Sequence, residues 1–124
     1  MASGDMTPGT LSGSSNGRPI TVAATGSPGT TIHTPQSGAS PNFDMVSLYA
    51  TNINASGATR TLYIQFGGTG TSDAIRVNLA PNRGPVLIVD RWAVSGSGQI
   101  IRAYADVANE VVITGRNIEV EAPA

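Results

Sequence analysis

His33 is the only histidine in the chain, and there is no cysteine. These two counts narrow the available chemistry at once. A site built from several histidines is impossible, and so are thiolate metal centres and disulfides. A nucleophile–base–orienter set needs three groups held within hydrogen-bond reach of one another. His33 lies in a Thr- and Pro-rich stretch, with no acid held beside it by local sequence, so it is expected to be an arm contact or a solvent-exposed residue. Asp73, Asp90, Asp106 and Glu110 fall at expected strand ends or turns. Carboxylates gathered at loop tips can hold Ca²⁺, but no compact D-x-D-x-D-G pattern occurs, and Asp at such positions caps turn backbone. A glycosidase needs two carboxylates flanking the sugar, and the aromatic platform that would surround such a pair is missing. Gly67-Gly68-Thr69-Gly70-Thr71 resembles a phosphate-cradling loop only in its glycines. The Lys-Ser/Thr and the helix that should follow are replaced by Ser72-Asp73 and a strand. No catalytic residue, cofactor site or metal site is assigned.

Aromatic residues and arginines are the remaining side chains with binding potential. Trp92 follows Val89-Asp90-Arg91 at the end of the most apolar segment. It either caps a core or stands out as an anchor, since Trp and Arg are typical interface hot spots. Stacking on a sugar ring is a third use. Tyr49, Tyr63 and Tyr104 are expected on outer strand faces, with Tyr49 and Tyr63 on one antiparallel pair. Together with Arg91, Ile20, Val22 and Ile32, these aromatics form the candidate partner-binding set.

Alternation of apolar and polar residues supplies the elements that carry them. Val46, Leu48 and Ala50 share one face, and Leu62, Ile64 and Phe66 repeat the pattern. So do Ile75, Val77 and Leu79, then Ile101, Ala103 and Ala105. Val86-Leu87-Ile88-Val89 is an unbroken apolar run, as for a strand covered on both faces. Val111 to Thr114 forms another strand, and Ile118 with Val120 a last short one. Turn signals stand at Asn54–Gly57, Gly67–Thr71, Pro81–Pro85 and Ser95–Gly98. Many short strands at this spacing, with no helical window, predict an all-β antiparallel β-sandwich. A jelly roll is the first choice of topology and an immunoglobulin-like sandwich the second.

Residues 1–42 read differently. They are Gly, Ser, Thr and Pro with isolated apolar residues, and are expected to form an extended N-terminal arm on a body spanning 43–124. Two short runs, Ile20–Ala24 and Thr30–Thr34, are edge-type or partner-paired strands, given the neighbouring prolines. On this reading the arm orders on a partner. A body this small, without disulfides or metal, gains stability most readily by oligomerisation.

Charge limits the partners. Seven arginines face eight acidic residues for a net charge of −1, and charged residues make up 12% of the 124 residues. No basic patch is available for phosphates, so nucleic acid is not expected. Lysine is absent, which fits either codon bias or a preference for Arg at contacts. No apolar run approaches the ~20 residues of a membrane span, and no basic segment followed by an apolar one marks a signal peptide.

Val46-Ser47-Leu48-Tyr49-Ala50-Thr51-Asn52, Leu62-Tyr63-Ile64-Gln65-Phe66-Gly67-Gly68, Pro85-Val86-Leu87-Ile88-Val89, Ile101-Arg102-Ala103-Tyr104-Ala105 and Val111-Val112-Ile113-Thr114-Gly115 carry a family resemblance. In these phrases the chain resembles the small all-β virion proteins of tailed bacteriophages, especially head decoration (cement) proteins. The resemblance implies a homotrimer on the outer surface of the phage head, clamping neighbouring major capsid subunits, with no catalytic residues. The length of the Gly/Ser/Thr/Pro segment departs from that pattern and leaves tail, neck and fibre positions open. The alternative function is a carbohydrate- or protein-binding sandwich module.

Overall fold

The computed structural model describes residues 6–36, 42–96 and 98–121. Among these residues nine strands follow one another: β1 (Met6–Gly9), β2 (Ile20–Thr21), β3 (Thr30–His33), β4 (Phe43–Asn52), β5 (Arg60–Phe66), β6 (Ala74–Leu79), β7 (Val86–Val94), β8 (Ile101–Ala105) and β9 (Val111–Val120). One turn of 3-10 helix, Thr71–Asp73, leads into β6. Among the described residues there is no α-helix, and no helix is long and apolar enough to cross a membrane.

The strands form two antiparallel sheets. In the front sheet β9 lies beside β4 and β4 beside β7, while β1 and β2 both pair with the far edge of β9. The back sheet runs β3-β8-β5-β6. Inner-face residues of both sheets, among them Val46, Leu48 and Ile113 in front and Leu62, Ile64 and Ile101 behind, share one buried cluster. The arrangement is therefore sandwich-like. Period-2 alternation dictates these faces: a half-buried strand must put every second side chain inward.

The front sheet is built on β4 and β9, which pair without a shift from Phe43↔Val120 to Asn52↔Val111. The sequence suggests one strand ending at Thr114 and a separate short one at Ile118 and Val120. Instead Gly115 faces Leu48 inside the ladder, where a Cβ would collide with the Ser47 carbonyl oxygen. Glycine is there to let two backbones approach, so the two expected short strands are one.

The run Val86–Val89, expected to be covered on both faces, belongs to an edge strand with one neighbour, and Leu87 is 51% exposed. A short apolar run does not by itself distinguish a central strand from an edge strand. β7 carries a bulge in which Asp90 and Arg91 together oppose Ser47. Arg91 takes φ 53°. The Ser47 hydroxyl donates to Asp90 Oδ1 at 3.1 Å and accepts the Arg91 N–H at 3.1 Å. Bulges of this kind protect edge strands against unwanted pairing.

The expectation of an appended arm is corrected over the described residues. Leu11, Ile20, Val22 and Ile32 all lie in the core. β3 is an integral strand of the back sheet, and Val22 N–H donates to the Val111 carbonyl at 2.9 Å. Only β1 matches the arm picture, with all four residues exposed. The reason is local: isolated apolar residues contribute little to the average composition of a Gly/Ser/Thr/Pro stretch. Each still gains roughly 1.5–3 kcal/mol when a sheet edge buries it. Residues 1–5 and 37–41 of the expected arm, Ser97 of an expected turn, and residues 122–124 lie outside the described residues.

Candidate functional site

His33 is not solvent-exposed. It ends β3 in the back sheet and is buried against Asp44, the second residue of β4 in the front sheet. The Ser12 N–H donates to His33 Nδ1 at 3.0 Å, so the ring proton sits on Nε2. Nε2 then donates to Asp44 Oδ2 at 2.7 Å, which also accepts the Gln36 N–H at 3.3 Å. Ser, His and Asp thus meet, but not as a catalytic set. The Ser12 hydroxyl accepts from the Thr34 N–H at 2.6 Å, and both ring nitrogens are occupied by other partners. The dyad is a latch between the two sheets and the loop around Ser12. Asp44 Oδ1 and the buried Asn117 Oδ1 have no hydrogen-bond partner among the described residues. Among the described residues, no three His, Cys, Asp or Glu side chains gather to hold a metal ion.

A second polar cluster organises the opposite end of β4. Asn54 Nδ2 and Arg60 Nε each donate to Glu110 Oε1 at 2.5 Å. The Asn54 amide, followed by the Arg60 guanidinium, holds the Glu110 carboxyl below its usual range. Asn52 Nδ2 donates to the carbonyls of Ala58 and Leu79, both at 2.9 Å. These contacts shape the crossing from β4 to β5.

That crossing overturns one expected pairing. β4 and β5 lie in different sheets, so Tyr49 and Tyr63 are not neighbours. Tyr63 instead stacks on Tyr104 of β8, with centroids 4.6 Å apart and planes 11° apart. Arg76 of β6 sits over the Tyr63 ring at 5.8 Å. Both faces of Tyr63 are therefore engaged, which removes it as a platform for stacking a sugar. The trio is a compact aromatic and cationic patch on the outer face of the back sheet.

Trp92 is half-exposed at the bulged edge of the front sheet and tilts against Phe66 of β5, with centroids 5.1 Å apart. Beside this pair lies an open cleft of about 480 Å³ lined by Phe66, Trp92, Ala93, Val94, Ser95 and Gln99. Arg91 is exposed in the bulge beside it.

The outer face of the front sheet is the surface that the sequence reading missed. Strands with one solvated face are expected to alternate apolar-in and polar-out. Here outward positions carry Phe43 and Met45 on β4 and Ile118 and Val120 on β9 at one end. Tyr49 and Leu87, 39% and 51% exposed, pair at the other end. The signal was present in the outward members of each alternating run, but the inward members drew the assignment. Of the candidate partner-binding residues, Tyr49, Tyr63, Arg91, Trp92 and Tyr104 stay at the surface, spread over three separate places. Ile20, Val22 and Ile32 are corrected: they are 8%, 0% and 0% exposed and pack inside this chain, so they meet no partner in this fold.

Compared with known proteins, the chain matches no family model, no curated protein and no solved structure.

Proposed function

We propose that this chain is a structural virion protein of a tailed bacteriophage, a decoration protein that binds the outside of the head and bridges neighbouring major capsid subunits. One observation carries the reading: the front sheet's outer face is apolar at both ends, and no strand among the described residues packs over it. Exposed Tyr49 and Leu87 at one end and half-buried Phe43, Met45, Ile118 and Val120 at the other are the kind of apolar surface that marks protein contact sites. The polar clusters support it from another side, because His33–Asp44 and Asn54–Glu110 have their hydrogen bonds directed at holding loops. The strand order also fits. β2-β9-β4-β7 facing β3-β8-β5-β6 is the order of two interleaved Greek keys, which supports a jelly roll over an immunoglobulin-like topology. Jelly rolls are found in viral capsid and lectin domains, which supports the role.

The test is addition of purified protein to phage heads that lack it. Saturable cosedimentation at a fixed ratio to the capsid subunit is expected. Absence of binding to any head form would sink the proposal. A second reading is favoured by the cleft beside Trp92, where an exposed indole and the Ser95 and Gln99 side chains suit a sugar ring. Quenching or a shift of Trp92 fluorescence by a glycan, together with calorimetric binding of the same glycan that is lost in Trp92→Ala, would favour that module instead.

A further inference from the structure

We infer that the outer face of the front sheet is covered by the same face of a second copy of this chain, the two related by a two-fold axis running along β4. This rests on reading that face as a protein contact; it gives the face to a second copy and leaves contact with the head to the Tyr63–Tyr104–Arg76 patch on the two back sheets.

The argument starts from the middle row of the face. Arg116 on β9, Ser47 on β4 and the Asp90–Arg91 bulge on β7 lie side by side across the sheet. Asp90 is on the outer face, since its carboxylate accepts from the Ser47 hydroxyl. Its side chain is 49% exposed, and its one cationic neighbour among the described residues is its own Arg91 at 3.7 Å. Arg116 is exposed and makes no ion pair among the described residues. An unpaired cation and a half-free anion therefore flank β4 at equal strand spacings.

Two directions of the two-fold axis lay this face on its own copy with the strands of both sheets aligned. An axis across the strands at this row sets Arg116 on Arg116 and Asp90 on Asp90, a repulsive arrangement. An axis along β4 reverses the strand order, so that β9 of one copy lies over β7 of the other. Arg116 then meets the Asp90–Arg91 bulge of the second copy, where Asp90 exchanges its long 3.7 Å contact with Arg91 for Arg116, and symmetry repeats the pair on the other side of β4. Residues on β4 meet their own counterparts: Phe43 on Phe43, Met45 on Met45, Tyr49 on Tyr49. Ile118 lies over Ala93 of the second copy, because both stand opposite Met45 in their own sheets. Apolar ends thus fall on apolar ends and opposite charges on each other. A two-fold contact requires such self-complementarity, and aligned packing of two sheets supplies the geometry. A surface made for a foreign protein has no need of it. The two-fold replaces the threefold that the family resemblance implies. It also leaves the Tyr63–Tyr104–Arg76 patch facing outward on both flanks, two identical faces as a bridging protein requires.

Sedimentation equilibrium of the full chain over a range of concentrations tests this. The wild type is expected to reach twice the 12.6 kDa chain mass. Arg116→Glu and Asp90→Arg are each expected to self-associate at least ~10-fold more weakly, through like-charge contacts. An equimolar mixture of the two restores the dimer, because every cross-contact is again a Glu–Arg or Arg–Asp pair. Tyr49→Glu and Tyr49→Lys, at the axis and without involvement of the bulge, behave the same way: weak alone, restored when mixed. A wild type monomeric up to millimolar concentration, a trimer mass, or mixtures no tighter than the single variants would each overturn the inference. A monomeric wild type that still binds heads would remove this dimer and keep the proposed role. A dimer that binds no head would keep this interface and remove the role.

Discussion

His33 on β3 and Asp44 on β4 join the two sheets through a buried hydrogen bond of 2.7 Å between Nε2 and Oδ2. Because Ser12 N–H occupies Nδ1, the same ring also fixes the loop that follows β1. Three segments that are remote in sequence are held by one imidazole, inside an interior where unpaired polar groups are costly.

His33→Leu therefore leaves a buried carboxylate without its main donor and is expected to cost on the order of 3 kcal/mol. Replacing both partners, His33→Leu with Asp44→Leu, removes the orphaned charge and costs less than the sum of the two single changes. Urea unfolding of the four proteins measures the coupling. Strict additivity would show that the pair does not act as a unit.

Ile32→Ala tests whether the N-terminal third belongs to the body. Ile32 is fully buried in the back sheet, so truncation is expected to cost roughly 2–5 kcal/mol. Val22→Ala, at another fully buried position, acts in the same direction. Unchanged thermal stability in both variants would return these residues to the status of an appendage.

Gly115→Ala places a methyl group against the Ser47 carbonyl in the centre of the β4–β9 ladder. A backbone atom cannot move aside as a flexible side chain can, and a loss of about 1–3 kcal/mol or more is expected. Gly9→Ala is the control, since nothing lies within 4 Å of its added Cβ. Equal melting temperatures for the two variants would contradict the close approach.

Glu110 gives the fold an acid-side pH dependence. Its folded pKa lies below the ordinary 4.5 because Asn54 and Arg60 donate to the ionised carboxyl. The unfolded chain binds that proton more readily, so the contribution to stability is present above the unfolded value and disappears as pH falls through the folded one. Glu110→Gln is expected to melt below the wild type at neutral pH, with the gap closing in acid. A gap that stays constant from pH 7 to strongly acid solution would rule out this linkage.

The inward residues of β4, β5 and β8 were legible from alternation alone. Val46, Leu48 and Ala50, then Leu62 and Ile64, then Ile101, Ala103 and Ala105 are all buried as the period-2 pattern requires. Three features were not legible. Gly115 has the composition of a turn and the role of a close contact. Val86–Val89 has the composition of a central strand and the place of an edge. Ile20, Val22, Ile32 and His33 sit in a stretch whose average composition argues against a core. In each case the residue's partner lies far away in the chain, and a local window contains no information about it.

The sequence by itself determined the class of this protein: an all-β chain, without cysteine and with one histidine, poor in the groups that do chemistry. That much follows from composition and from a side-chain period that the pleated backbone enforces. Only the tertiary structure decided which strands share a sheet, that His33 meets Asp44 rather than solvent, and that Arg116 and Asp90 flank Ser47 on the outer face of the front sheet. Pairing register and sheet assignment are set by contacts between distant segments. An exposed face acquires its character only when strands from different parts of the chain are laid side by side.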